Sequence, residues 1–373
     1  MKKQIIISSI IAVVVLSSCT QTPDNIEGAN HNVDLNSTNK VTVEHILDDF
    51  DEAFETKYTR FKLPDKSSVI INQPEGVYDL ELKYVNDDKD TSWLKEKVYK
   101  LAKIFNLSNC GEAKKIGNDF TLKNNNARTD LEMFSSPYYD KNGDWNPNDI
   151  INKKIEYLDR INLEDLKDEY KIVVKKSVDY ANEINEMLGG SLINNPMDLY
   201  IQEYNSEVFY ALSLQPIYKG IGLQCITPTY IPSDIFDGDN ALMTMSFYIK
   251  FLYDSKLTLY SYVGCNNYTP VKEEPIDKMI SFKDACDILE SELAENTNFE
   301  FDDVKLWYEP RGTIIDLSDS SVSTYDAHDG NKTIKCTPKW YFISDESSEA
   351  DLHMINYITV DCVTGEIEVF FPE

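Results

Sequence analysis

The sequence lacks every short motif that marks a common catalytic or nucleotide-binding site. H-E-x-x-H, G-x-S-x-G, the P-loop pattern and G-x-G-x-x-G are all absent, and these patterns carry the zinc, acyl-transfer and phosphate chemistry of large enzyme classes. Histidine is scarce: the four in the chain are His31, His45, His328 and His353. Histidines so scattered do not favour a catalytic triad or a zinc cluster. The sequence therefore carries no catalytic signature, and we expect no cofactor.

No hydrophobic run is long enough to span a bilayer. The apolar run from Ile5 to Leu16 has about twelve residues, whereas a transmembrane helix needs roughly twenty. Lys2 and Lys3 precede this run. The sequence L-S-S-C that ends it, with its cysteine at position 19, resembles the bacterial lipobox. The combination is typical of a lipoprotein signal rather than of a membrane-spanning helix.

This N-terminal pattern predicts where the mature protein resides. Residues 1–18 would be a lipoprotein signal peptide, and Cys19 would be the site of lipid attachment and the new N-terminus. Residues 19–40 are polar, rich in Asn and Thr and without periodicity, which predicts a flexible tether. We therefore expect an extracytoplasmic protein that is lipid-anchored to the cell membrane.

Positive charge is also in short supply. The chain has 36 lysines and arginines against 64 acids, for a formal net charge of −28. A field of this sign repels phosphate, so nucleic acid and anionic lipid headgroups are excluded as favoured partners, whereas basic partners are attracted. A hydrophobic content of 42% excludes a disordered chain. The length predicts roughly two or three domains.

The cysteines show no redox or metal pattern, since C-x-x-C does not occur. Cys286 falls on the apolar stripe of a predicted helix and Cys362 on the apolar face of a predicted strand, where a free thiol behaves as a small hydrophobe. An extracytoplasmic site permits disulfides, so pairing stays open, although buried free thiols are favoured. The cysteines other than Cys19 are Cys110, Cys225, Cys265, Cys286, Cys336 and Cys362.

Hydrophobic periodicity predicts an α+β fold in which helices cover one face of antiparallel sheets. Predicted helices cover 43–54, 91–105, 163–188 and 281–293. Predicted strands cover 69–73, 77–85, 199–214, 221–231, 241–253, 257–263, 303–309, 334–343, 355–362 and 366–371. Pro270 and Pro275 flank an acidic stretch that we interpret as a linker. The layout of a helix followed by an antiparallel meander occurs twice, which predicts tandem helix-plus-sheet units. The expected divisions are an N-terminal α+β domain at 41–155, a helix-plus-sheet unit at 156–275 and a terminal unit at 276–373.

Two local signals in the terminal unit are specific enough to test. Ser281 with Asp284 three residues later resembles a capping box, which predicts that a helix begins there. Gly365 lies between two alternating apolar runs, which predicts a tight hairpin in which the glycine takes a positive φ.

Four segments carry a resemblance to a known family. They are ISFKDACDILESEL (280–293), VKLWYEP (304–310), TPKWYFI (337–343) and INYITVDCVTGEIEVF (355–370), and they resemble the PepSY domain and the extracytoplasmic regulators of the YycH and YycI type. Upstream, VFYALSLQPIYKGIGLQ (208–224) is similar to the strand pair that precedes this module. The sequence departs from the pattern at Gly222, where a proline is expected, and in a long loop at 312–332.

The resemblance covers the C-terminal half of the chain and rests on turns and core positions. It implies a PepSY- or cystatin-like fold at the C-terminus. It also implies a non-enzymatic protein that binds or regulates a protein partner at the membrane surface.

The sequence is compatible with parts of two other kinds of site. Residues 140–148 space oxygen side chains as a calcium loop does, but the sixth and twelfth loop positions are Trp145 and Ile151 instead of the glycine and the acid that an EF-hand needs. We interpret the segment as an Asx-rich turn and expect no metal site. The alternative function is a carbohydrate- or cell-wall-active hydrolase with a carboxylate pair. The separation of the two carboxyl groups in space would decide it.

Overall fold

The computed structural model describes thirteen stretches of the chain and leaves several predicted features outside them. Outside lie the signal peptide, Cys19 with the tether up to residue 39, the loop 140–148, and the cysteines at 110, 225 and 265. The described residues are 40–84, 91–105, 114–116, 119–121, 150–204, 207–224, 230–231, 240–244, 249–264, 268–295, 297–316, 333–344 and 356–370.

Helices are few and amphipathic. They are α1 (Phe50–Glu55), α2 (Thr91–Ile104), α3 (Asp168–Leu188) and α4 (Phe282–Glu292). The predicted helix at 163–188 begins five residues late, because residues Leu163–Asp165 form a separate 3-10 turn. It ends at Gly189, whose φ of 72° is the left-handed C-cap that glycine favours. None of the helices in the described part of the chain is both long and apolar enough to cross a membrane.

Strands make up most of the described structure. In chain order they are β1 (Lys40–Thr42), β2 (Phe61–Lys62), β3 (Tyr78–Tyr84), β4 (Lys114–Ile116), β5 (Asp119–Thr121), β6 (Ile150–Tyr157), β7 (Ile193–Tyr204), β8 (Glu207–Tyr218), β9 (Ile221–Leu223), β10 (Tyr230–Ile231), β11 (Asn240–Thr244), β12 (Ile249–Asp254), β13 (Leu259–Gly264), β14 (Tyr268–Pro275), β15 (Lys278–Ile280), β16 (Phe299–Glu300), β17 (Asp303–Asp316), β18 (Thr333–Ser344), β19 (Asn356–Asp361) and β20 (Ile367–Phe370). Fourteen of these described strands join one sheet. The pairings within that sheet are antiparallel except between β9 and β17. The α+β class is therefore confirmed, with sheet predominating.

The long strand β8 joins the two halves of this sheet. Its first half pairs with β12, and its last two residues pair with the short strand β9, which in turn lies against β17. The strand β3 from the N-terminal part lies between β14 and β18. Ladder hydrogen bonds therefore connect all three predicted units, and the division of the chain at residues 155 and 275 stays a prediction.

The helices pack on one face of the sheet, as the periodicity predicts. Even-numbered residues of β8, such as Leu212 and Leu214, form one core with α3. Even-numbered residues of β17 and β18, such as Tyr308 and Trp340, form the other core with α4. Since side chains alternate across a strand, the odd-numbered residues point to the face opposite the helices.

The helix predicted at 43–54 is wrong in its first half, which contains the 3-10 turn Val43–His45, and α1 begins only at Phe50. Three other sequence interpretations are wrong. Residues 199–214 are not one strand, because the chain reverses between β7 and β8, with Tyr204 opposite Glu207. The acidic stretch at 270–275 is not a linker but part of β14. Its prolines are tolerated there because β14, within the described residues, has β3 as its partner on one side alone. Residues 69–73 join no ladder, although the residues are β-forming.

The predicted cap and thiols at α4 are confirmed. The Ser281 hydroxyl accepts a hydrogen bond of 3.1 Å from the backbone N–H of Asp284. Cys286 on this helix is a free, buried thiol, as are Cys336 and Cys362. Burial raises the pKa of all three thiols above the ordinary range, so each stays protonated and unreactive.

The predicted turn at Gly365 is also confirmed, with a φ of 72° between β19 and β20. We expect Gly365→Val to lower the free energy of unfolding by about 1–3 kcal/mol, because a β-branched side chain resists this conformation. Urea unfolding of the full chain measures the effect. Gly365→Asn is the matched control and should cost less, since asparagine tolerates the left-handed region. Equal losses in the two variants would contradict the backbone explanation.

Candidate functional site

Some of the exposed apolar side chains of the described surface lie together at one groove. Seven large apolar side chains are exposed there, and three of them, Ile70, Ile161 and Leu163, line a single cavity of about 300 Å³. We call this cavity the isoleucine groove. It is lined by Ile70, Ile71, Asn72, Leu158, Asp159, Ile161, Leu163, Asn195, Pro196, Gln215, Ile217, Gly220, Gly222, Lys305, Leu306 and Trp307.

The floor of the groove is the sheet face opposite the helices. Ile217 of β8 lies opposite Gly222 of β9, which in turn lies beside Trp307 of β17. Gln215 and Lys305 are each two residues away on their strands, so they share that face. The groove therefore lies where the sheet divides and β8 passes from one partner strand to the next.

The end of a neighbouring side chain lies close over Gly222. The Gln215 amide nitrogen Nε2 donates a 2.9 Å hydrogen bond to the Leu223 carbonyl, which lays the Gln215 side chain over Gly222. A Cβ at position 222 would lie 2.5–2.7 Å from three Gln215 side-chain atoms. A larger residue at position 222 would therefore displace the Gln215 side chain from this place.

A buried lysine holds one wall of the groove on the sheet. Lys305 Nζ lies 2.7 Å from Asp159 Oδ2 and 3.1 Å from Asp303 Oδ2. Lys305 and Asp303 are buried, whereas 27% of the Asp159 side chain is exposed. Since Asp159 belongs to the 3-10 turn Leu158–Arg160, this ion pair ties the wall formed by residues 158–163 to β17.

The opposite wall is the extended segment 70–72. It is followed by Pro74 and Glu75, which dock on the two-residue turn between β8 and β9, since the Glu75 N–H donates 3.2 Å to the Lys219 carbonyl. Lys219 and Gly220 both have positive φ, at 48° and 88°, as a type I′ hairpin turn requires. The position of this wall thus depends on a contact between distant parts of the chain.

A second cavity, of about 470 Å³, shares Ile161 with the groove. Its lining carries two acids, Glu156 and Asp165, and one base, Lys167, which lies 5.2 Å from the centre of the Tyr170 ring. The surroundings of the groove are therefore apolar with a net acidic charge.

The same sheet face also buries charge away from the groove. Lys339 Nζ lies 2.5 Å from Glu309 Oε2 and also contacts Glu368, and both Lys339 and Glu309 are almost fully buried. Nearby, the Tyr341 hydroxyl donates to Gln224 Oε1 at 3.0 Å. Lys339 and Glu309 are buried and the Glu368 side chain is 31% exposed, so we assign this cluster to stability rather than to binding.

Comparisons with known proteins name no family for the chain. No family model matches it, and no curated protein matches it. Among solved structures it is similar to an uncharacterized protein from Eubacterium rectale ATCC 33656, with 11% sequence identity, a TM-score of 0.44, and coverage of 85% of this chain and 92% of that one. A likeness at this level carries no functional argument, so function is argued from the groove.

The residues singled out from the sequence do not form this site. Cys19 and the loop 140–148 lie outside the described residues. His45 is exposed and lies 2.7 Å from Asp48 on the same turn. Within the described ranges, no group of three or more histidines, cysteines and acids is placed to hold a metal ion. The groove residues were missed as a site because they come from five separate segments, although three of these segments appear in predicted strands or in the family resemblance.

Proposed function

We propose that this is a lipid-anchored, extracytoplasmic and non-enzymatic protein that binds a protein partner at the membrane surface through the isoleucine groove. The observation that carries the proposal is the convergence of Ile70, Ile161 and Leu163 on one cavity. Contiguous exposed apolar surface with a polar surround is typical of interaction sites. Anchorage through Cys19 would hold this groove close to partners in the same membrane.

The finer fold proposal is a PepSY-like unit at the C-terminus. It is supported by the order of elements, with α4 followed by the antiparallel strands β17 to β20. The helix contributes Phe282, Ala285 and Leu289 to the core on one sheet face. A module of this kind has no need of catalytic groups, which agrees with a binding or regulatory function.

The hydrolase remains the alternative prediction, and it would require a catalytic pair of carboxylates. Asp159, which lines the groove, and Asp303, which is buried beneath it, share the Lys305 ammonium group. Because both carboxylates are bound to one cation, this arrangement is better suited to holding residues 158–163 on the sheet than to proton transfer. The binding proposal is therefore the one that the groove favours.

In-cell photo-cross-linking tests the proposal. A photoreactive residue placed at Ile161 in the lipidated chain should give a covalent adduct with a partner of defined mass. Placed at Ile172, which is 52% exposed on α3 and does not line the groove, it should give none. The adduct should be lost with Cys19→Ala, which should also abolish lipid labelling and release the protein from the membrane fraction.

Each arm of this experiment has an outcome that contradicts it. If the Cys19→Ala product is still membrane-bound and lipid-labelled, Cys19 is not the site of the lipid anchor. If positions 161 and 172 give equal yields of adduct, the groove is not the binding surface. Turnover of a glycan by the purified protein, with no adduct at either position, would favour the hydrolase.

A further inference from the structure

We infer, resting on the proposed function, that the groove takes an extended segment of the partner, which adds to residues 70–72 as a strand. The segment would insert bulky aliphatic side chains into the groove and carry basic residues beside them. Three observations support this occupant: an unused backbone edge, an apolar lining and an acidic surround.

The backbone edge follows from which residues line the cavity. Ile70, Ile71 and Asn72 all line the cavity, although successive side chains of an extended chain point to opposite sides. Three consecutive lining residues therefore mean that the backbone itself borders the groove. Within the described residues, no backbone hydrogen bond is formed by residues 70–72. A β-forming segment without a ladder partner is suited to strand addition, in which main-chain hydrogen bonds supply affinity.

The apolar lining selects the side chains of the occupant. Ile70 and Leu163 stand exposed on the two walls, and Ile217 and Trp307 lie on the floor between them. Alternate residues of an added strand would point into this space. Isoleucine, valine or leucine at those positions would bury apolar surface on both partners.

The charge around the groove selects the flanking residues. Lys305 is neutralised by Asp159 and Asp303 and so offers no free positive charge. The adjoining cavity is lined by two acids, Asp165 and Glu156, and one base, Lys167, and the whole chain has a net charge of −28. A basic segment would be attracted by this field and an acidic one repelled.

Synthetic peptides test the inference on the full-length lipidated protein in nanodiscs of zwitterionic lipid, with empty nanodiscs as the blank. The probe is a heptapeptide, Gly-Lys-Ile-Val-Ile-Lys-Gly, blocked at both ends. Matched peptides replace both lysines by glutamate or both isoleucines by serine. We expect the basic aliphatic probe to bind about tenfold more tightly than either, because each replacement removes one of the two attractions. High salt should reduce the difference between the lysine and glutamate peptides.

Substitutions in the protein locate the binding. Ile161→Ser should weaken binding of the probe by about tenfold, since it removes apolar surface from the groove without changing its charge. Ile172→Ser is the matched control at an exposed isoleucine outside the groove and should leave affinity unchanged. Equal losses in both variants, or equal binding of the glutamate peptide, would overturn the inference.

Backbone recognition is tested separately. Methylation of alternate backbone nitrogens blocks one edge of an extended peptide, so two such isomers block opposite edges. One isomer should retain affinity and the other should lose it, and amide exchange at residues 70–72 should slow on binding of the unmodified probe. Equal affinity of the two isomers, or unchanged exchange at 70–72, would overturn strand addition.

The outcomes separate this inference from the proposed function. If cross-linking at position 161 succeeds and the basic aliphatic probe fails to bind, the chemistry inferred for the partner segment is wrong and the proposed function stands. If the probe binds and no adduct forms in cells, the proposed function fails. Sedimentation shows whether the protein self-associates. If self-association competes with binding of the probe, a second copy of the chain occupies the groove, and the inference is overturned.

Discussion

Replacement of Lys339 by methionine is expected to lower the free energy of unfolding by about 3–5 kcal/mol, although it exchanges a charged residue for an apolar one of similar length. Lys339 is fully buried and its ammonium group contacts the carboxylates of Glu309 and Glu368. Without the lysine, Glu309, of whose side chain 2% is exposed, would lose the ammonium group that lies 2.5 Å from its Oε2. Burial of a charge without its partner is the costly state, because little water reaches it.

Chemical unfolding in urea measures the effect, and two further variants isolate its cause. Lys62→Met removes a lysine that pairs with Glu300 at an exposed position, where 63% and 66% of the two side chains are accessible, so it should cost at most about 1 kcal/mol. The double variant Lys339→Met with Glu309→Gln should recover part of the loss, since it neutralises the stranded carboxylate. A loss for Lys339→Met no greater than that for Lys62→Met would show that the buried pair does not stabilise the sheet.

Truncation of the next residue, Trp340→Ala, is expected to cost a similar amount, about 3–5 kcal/mol, for a different reason. Trp340 is fully buried in the core under α4, where its ring lies 5.4 Å from that of Phe282. Its indole N–H donates a 3.0 Å hydrogen bond to the Ile280 carbonyl just before the helix. The alanine variant would leave a cavity and an unpaired carbonyl at the junction of β15, β18 and α4.

The two contributions of the tryptophan can be separated by Trp340→Phe. This variant keeps an aromatic ring in the core but removes the donor to Ile280, so we expect about 1–3 kcal/mol from the buried carbonyl together with a smaller volume term. Ile172→Ala, at an exposed position, should be nearly silent. The thermal or urea midpoint of each variant decides the matter. A phenylalanine variant as damaged as the alanine variant would place the whole effect in the hydrogen bond rather than in packing.

These neighbouring positions show how far the sequence pattern reaches. The sequence predicts a strand over 334–343, and β18 runs from Thr333 to Ser344. Since side chains alternate across a strand, Trp340 and Phe342 share one face, and they pack under α4. Lysine is rarely buried without a partner, yet Lys339 is buried in this strand. Its partner Glu309 is 30 residues distant on β17, and no local signal in the sequence connects the two.

The groove shows the same limit. A strand is predicted at residues 69–73, but in the described structure these residues join no ladder. They border the groove and lead to the turn at Lys219, and no strand lies beside them there. The stretch around Pro270 is acidic and proline-rich, yet it forms β14 because β3 offers it a partner. Pairing partners distant in sequence decided both outcomes.

What the sequence by itself determined is local. The start of α4 at Ser281, the left-handed glycines at 189 and 365, the burial of Cys286 and Cys362 and the strands of the terminal meander all follow from short-range chemistry: caps, allowed φ values and alternating burial. The tertiary structure alone decided that β8 joins two half-sheets, that Gln215 covers Gly222, that Lys305 and Lys339 are buried with acids from other segments, and that three exposed apolar side chains converge on one groove. The physical reason is that these features depend on contacts between residues far apart in the chain, whose free energy appears only when the sheet has brought them together.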